Sequence, residues 1–184
     1  GTAFPHLIKG FTTALPWRMV LIVTSSLAVF GGVLMLLFVP NGPYRKSSQQ
    51  LDLNAFFKIF QNKKFRAAAF GYFGHMWELY AFWAFVPFIL NAYAQNKAIA
   101  FNSSFWSFLV IAVGSLGCIL GGRVSILTGS KKVATIALLI SGICCVVSPL
   151  LYFTAPFIFI PFLMLWGIVV IADSPMFSTL VARN

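Results

Sequence analysis

Apolar runs of bilayer length alternate with short polar connections along the whole chain. Residues 19–39, 67–90, 105–127, 133–153 and 157–181 are each about as long as a helix that crosses a bilayer, which takes roughly 20 residues. The pattern predicts an all-α, polytopic helical membrane protein with five complete transmembrane helices. Residues 1–15 read as the end of one more span followed by a loop. Pro40-Asn41-Gly42-Pro43 stops the first complete span, since none of it continues a helix well. In the polar segment 41–66, Leu53, Phe56, Phe57 and Phe60 fall at i, i+3, i+4 and i+7, opposite Asp52, Lys58 and Gln61. That spacing predicts a short amphipathic helix lying in the headgroup plane. Pro87 should loosen the far end of its span. Asn102-Ser103-Ser104 matches a glycosylation pattern but abuts a span, so Asn102 is read as a helix N-cap. Gly31 with Gly32, and Gly117 with Gly121, mark places where a neighbouring helix can approach closely.

Composition agrees with the pattern. Sixty per cent of residues are hydrophobic, nine per cent are charged and mean hydropathy is +0.91, against about a quarter charged in soluble domains. The net charge of +10 does not point to nucleic acid, because the basic residues lie in connections between spans. Six fall in 41–66, one (Lys97) in the next connection and three (Arg123, Lys131, Lys132) around the one after. This alternation puts 41–66, 128–132 and the C-terminus in the cytoplasm. Lys9 and Arg18 fit that orientation less well, and Trp17 with Arg18 marks an interface. His6, without an acidic neighbour, reads as interfacial. Cys118, Cys144 and Cys145 lie inside apolar spans and read as small buried hydrophobes, with no disulfide or metal spacing. No cofactor is expected.

Two acids break the apolar pattern. Glu78 lies near the middle of the 67–90 span with His75 one turn before it, and Asp173 lies inside the 157–181 span. A carboxylate at such a depth costs roughly 2.5–3.5 kcal/mol on insertion scales, which makes it a candidate functional group. Gly71, Gly74, His75, Glu78 and Phe82 share one helix face, so this stripe should turn toward a bundle or a wet cavity, with its glycines admitting a neighbouring backbone. Pro175 follows Asp173-Ser174 and frees a backbone carbonyl one turn earlier, near the aspartate. Glu78 is twelve residues from Arg66 and Asp173 ten from Arg183, roughly 18 and 15 Å along a helix. Both acids therefore sit near the midplane. In the plainer alternative, His75 and Glu78 only neutralise one another and fix helix packing.

Several strings resemble a major facilitator superfamily permease, over the whole chain from the end of helix five to helix ten of twelve. GTAFPHL resembles the end of helix five, and VPNGP with its basic loop resembles the connection between the two six-helix halves. GYFGHMWELYAFW and WGIVVIADSPMFSTLVA resemble helices seven and ten of a bacterial permease group. The resemblance implies a fragment of a longer protein. Residues 1–39 would end the N-terminal half, 40–66 would form a cytoplasmic central loop, and 67–184 would be the first four helices of the C-terminal half. Glu78 and Asp173 would then face the transport path. Gly121, Gly122, Gly129, Lys131 and Lys132 match the superfamily's cytoplasmic gate loop, but Ile126 and Leu127 stand where an Asp-Arg pair is expected.

The function expected is a secondary transporter of a small solute, working by alternating access and coupled to protons, in the inner or plasma membrane. Its path would be lined by Glu78, His75, Tyr72, Trp77, Trp83, Asp173 and Ser174, with the aromatic residues able to hold a cation. Its partners would be membrane lipid, the solute, protons and the remaining helices, with no nucleic acid. The competing class is an intramembrane electron carrier or enzyme, and a channel subunit is a third. A haem held by two histidines needs one on each of two facing helices, and only His75 is intramembrane. A hydrolase needs a nucleophile with a base at fixed reach, which Ser174 beside Asp173 does not supply. A channel needs a filter or a charged ring, and no such pattern is readable. The reading is accordingly non-enzymatic.

Overall fold

The computed structural model describes residues 2–11, 16–40 and 54–183. Leu53 and the rest of 41–53 lie outside them, including Arg45, Lys46 and Asp52 of the central loop. The described residues form helices joined by short turns, with no strand among them: α1 (Phe4–Phe11), α2 (Trp17–Phe38), α3 (Asn54–Gln61), α4 (Lys63–Lys97), α5 (Ser103–Ala112), α6 (Gly114–Thr128), α7 (Ser130–Leu151), α8 (Pro156–Ala172) and α9 (Ser174–Ala182). α2, α5 with α6, α7, and α8 with α9 are long and apolar enough to cross a membrane. The chain is an all-α polytopic membrane protein.

The expected span at 67–90 does not meet that criterion. α4 has the length, 35 residues, but His75, Glu78 and its tyrosines dilute its apolarity. It is nonetheless central to the bundle, because Leu79, Phe82, Val86, Leu90 and Tyr93 all enter the core. It also begins earlier than its apolar run. The Asn62 side chain caps it by accepting from the Lys64 and Phe65 backbone N–H groups, satisfying two donors that a helix start leaves open. Asn102 caps α5 in the same way through Phe105. α4 runs on through Pro87 to Lys97, where Ala98 turns the chain with φ +50°.

Two expected single spans are broken. One divides at Val113 between α5 and α6, the other at Asp173 between α8 and α9. The breaks lie side by side, since Gly114 packs against Gly167 and Ile171. From there Gly114, Gly117 and Gly121 run along α6 against the carbonyls of Gly167, Ile168 and Ala172. A Cβ on Gly121 would come 2.6 Å from the Ala172 oxygen, so the two backbones touch without side chains between them. Gly122, Gly31 and Gly32 face open space, and no buried residue lies on α2. Cys145 is exposed, contrary to its expected burial, whereas Cys144 is buried and Cys118 is partly so.

Two apolar clusters form the core. The larger joins α4, α5, α7 and α8 around Leu90, Val110, Leu163 and Trp166. The smaller joins α7 and α9 through Val133, Ala134, Met176 and Phe177, with Tyr72 of α4 against it. The starts of α4 and α7 and the end of α9 meet at one end of the bundle, around Lys63, Lys131 and Leu180. At the other end Lys97 Nζ donates to the Phe153 carbonyl, Tyr93 Oη to that of Thr154, and Asn102 to that of Gly10. The basic connections 54–66 and 128–132 thus share one end, as the charge pattern requires.

Candidate functional site

Between the two apolar clusters lies a layer of polar side chains. Along α4, His75 falls between Tyr72 of the small cluster and Leu79 of the large one. Along α7, Ser141 falls between Leu138 and Cys144, and along α8–α9, Asp173 falls between Val170 and Met176. Three helices therefore bring their polar residues to one depth. Such a layer persists in an apolar interior only if its members satisfy one another.

His75 is the hub, with no exposed surface. Its Nδ1 lies 3.0 Å from Asp173 Oδ1, an ion-pair distance without hydrogen-bond alignment. Its Nε2 lies 2.6 Å from Ser174 Oγ. With Nδ1 protonated toward the carboxylate, Nε2 accepts the serine hydroxyl; with both nitrogens protonated, Nε2–H donates to it. The ring lies beside Tyr72 and Phe177 at centroid distances of 6.4 and 5.6 Å, and those two rings are 6.4 Å from each other, so the three form a triangle. Asp173 is equally buried, and its Oδ2 has no hydrogen-bonding partner.

The break at Asp173 follows from the sequence. Pro175 lacks the N–H that would bond the Ile171 carbonyl, so the helix stops and restarts. The released Ile171 carbonyl is approached by Cys118 Sγ at 3.8 Å. The restart reuses the Asp173 carbonyl, which accepts from the Met176 and Phe177 N–H groups.

Glu78 belongs to a second, adjoining network. Ser141 Oγ donates to Glu78 Oε1 and accepts from Trp166 Nε1 at 3.0 Å, which ties α4, α7 and α8 together. The pairing weighed from the sequence, His75 with Glu78, gives way to this division, because the two histidine nitrogens face Asp173 and Ser174.

The other expected residues divide in the same way. Tyr72 stacks on His75, and Trp83 is half-buried with an indole N–H that has no partner. Trp77 is 81% exposed on the far side of α4, so it is no wall of this site. Gly71 admits the Phe177 ring and Gly74 faces open space, so neither receives the expected backbone. Of the gate-loop residues, Gly121 packs beside Asp173 through the Ala172 carbonyl. Gly129 turns the chain with φ +88° before α7, where Lys131 and Lys132 are exposed at the basic end. Lys131 is ten residues from Ser141, roughly 15 Å along α7.

Ser141, Trp166 and Phe177 complete the site without having been singled out in the sequence. A signal for two of them exists. Ala134, Ala137, Ser141 and Cys144 place small residues at 3-4-3 spacing, which marks a packed face on α7. Trp166 sits mid-span, where an indole N–H needs an acceptor. Comparison of the chain with family models, with curated proteins and with solved structures finds no match.

Proposed function

We propose that this chain is part of a proton-coupled secondary transporter, a permease of the major facilitator type, that moves a small solute by alternating access. The observation that carries the reading is the buried His75 bridge to Asp173 and Ser174 at a helix break, set in a polar layer between apolar clusters. Ionisable groups within membrane spans mark proton and solute paths, and broken helices form such sites. A proton arriving at His75 Nε2 turns Ser174 from hydrogen-bond donor to acceptor and strengthens attraction to Asp173. Loss of that proton weakens the hold between α4 and α9. Glu78, held by Ser141, is the neighbouring carboxyl that can exchange a proton with the same path. Tyr72 and Trp83 supply the aromatic surface nearby. The basic end of the bundle is placed in the cytoplasm, from the excess of lysine and arginine there.

The test is solute uptake by the full-length protein in proteoliposomes under an imposed pH gradient, read for a panel of small solutes with a lumenal pH dye. Glu78→Gln is expected to abolish pH-driven movement while leaving the protein folded, and Asp173→Asn to raise the half-saturating solute concentration. Unchanged pH-driven transport by Glu78→Gln contradicts the coupling role.

One geometric fact favours a second reading. Asp173, His75 and Ser174 stand in acid–base–nucleophile order, the arrangement of a serine hydrolase. A fluorophosphonate probe separates the two. Labelling that is lost in Ser174→Ala supports hydrolysis, and absence of labelling supports transport.

A further inference from the structure

A cavity of about 630 Å³ opens at the basic end of the bundle, between the starts of α4 and α7 and the side of α9. We propose that it binds an amphipathic anion, a phosphate or carboxylate headgroup carrying a hydrocarbon chain. Lys63, Lys64 and Lys131 all line it, and among the described residues no acidic side chain does. All three lysines are exposed. Lys131 also belongs to the first turn of α7, whose N-cap, Gly129, offers no side-chain acceptor to the open N–H groups. The positive end of the α7 dipole thus adds to the lysine charges.

Deeper in, the lining changes character. From Lys64 to Gly71 on α4, and from Lys131 to Leu138 on α7, the walls pass from cationic to apolar over seven residues, roughly 10 Å. Phe177 closes the floor against Gly71. A free inorganic anion would leave this lower part unfilled, and a neutral chain would leave the lysines unpaired. A headgroup with a chain attached answers both halves, and the volume lies within the usual range for small-molecule sites. Because Phe177 stacks on His75, the bound chain would end one ring away from the polar layer.

The experiment follows thermal unfolding of the full-length protein in neutral detergent while one ligand at a time is titrated. The probes are phosphatidylglycerol, phosphatidylcholine, octyl phosphate and inorganic phosphate. The unfolding midpoint should rise saturably with phosphatidylglycerol or octyl phosphate, and stay level with the other two. A rise with phosphatidylglycerol alone assigns the occupant to the membrane, a rise with octyl phosphate alone assigns it to a soluble amphiphile, and both uphold the site. Lys63→Gln/Lys64→Gln/Lys131→Gln should raise the half-saturating concentration about a hundredfold. Ala67→Trp, at an exposed position of the wall, should weaken binding while every lysine remains. A phosphatidylcholine effect equal to that of phosphatidylglycerol, a full effect from inorganic phosphate, no rise with any probe, or unchanged binding by the triple variant or by Ala67→Trp would overturn the assignment.

Discussion

Two contacts hold the α8–α9 strand of the bundle, and they are built on opposite principles. Along α6 the partner is backbone: Gly114, Gly117 and Gly121 let carbonyls of α8 come into van der Waals contact. Toward α4 and α7 the partners are side chains, with His75 on Asp173 and Ser174, and Ser141 on Trp166. A glycine seam has one arrangement. A buried histidine beside a carboxylate has at least two, which differ by a proton. The lesson is a division of labour within one helix pair, in which α6 fixes the broken helix while α4 and α7 hold it by bonds that a proton can remake.

The comparison breaks most visibly at the hub. His75→Leu leaves the Asp173 carboxylate buried without a counter-charge, a change that costs about 3–5 kcal/mol in known buried pairs. Thermal unfolding of the full-length protein should show that loss. Adding Asp173→Asn should return most of it, because the orphaned charge is then gone. A double variant as unstable as the single one would mean that the layer is held by packing.

The seam should respond next. Gly117→Val must push the Ile168 carbonyl aside, and overpacking of this kind costs about 1–3 kcal/mol. It should stay the same across the range where histidine and carboxylates titrate, since the titratable group beside the seam is the Cys118 thiol. A pH-dependent cost at Gly117 would erase the distinction between the two contacts.

The smallest effect is expected in the Glu78 network. Ser141→Ala removes the acceptor of the Trp166 N–H and the donor to Glu78, worth about 1 kcal/mol net where water can partly replace it. Tryptophan fluorescence of Trp166 in an otherwise tryptophan-substituted background should shift with this change. An unshifted spectrum would detach Trp166 from the layer.

Much of this architecture is legible in the sequence, for identifiable reasons. Length and apolarity place the spans, because a bilayer accepts little else. The Ala172-Asp173-Ser174-Pro175 string announces the α8–α9 break through a missing N–H. The break at Val113 carries no such mark: Val113 and Gly114 are ordinary span residues, and their role appears only when Gly114 meets Gly167 and Ile171. Pairings across the bundle were equally hidden. Local spacing puts His75 and Glu78 on one face of α4, but the true partner of His75 lies 98 positions away on another helix. Trp77, by contrast, was expected to line the path although the spacing itself argues against it. It stands two residues after His75, about 200° round the helix, and it does face outward.

The central claim is that His75 sits sealed between two apolar clusters with its ring nitrogens engaged by Asp173 and Ser174. The most direct measurement is the nitrogen-15 spectrum of the His75 ring in the full-length protein, reconstituted in lipid bilayers. The account predicts two inequivalent, slowly exchanging ring nitrogens, and a change in the Nδ1 signal when Asp173 is replaced by Asn. A ring that exchanges freely with bulk water and gives the same spectrum in both proteins would contradict it.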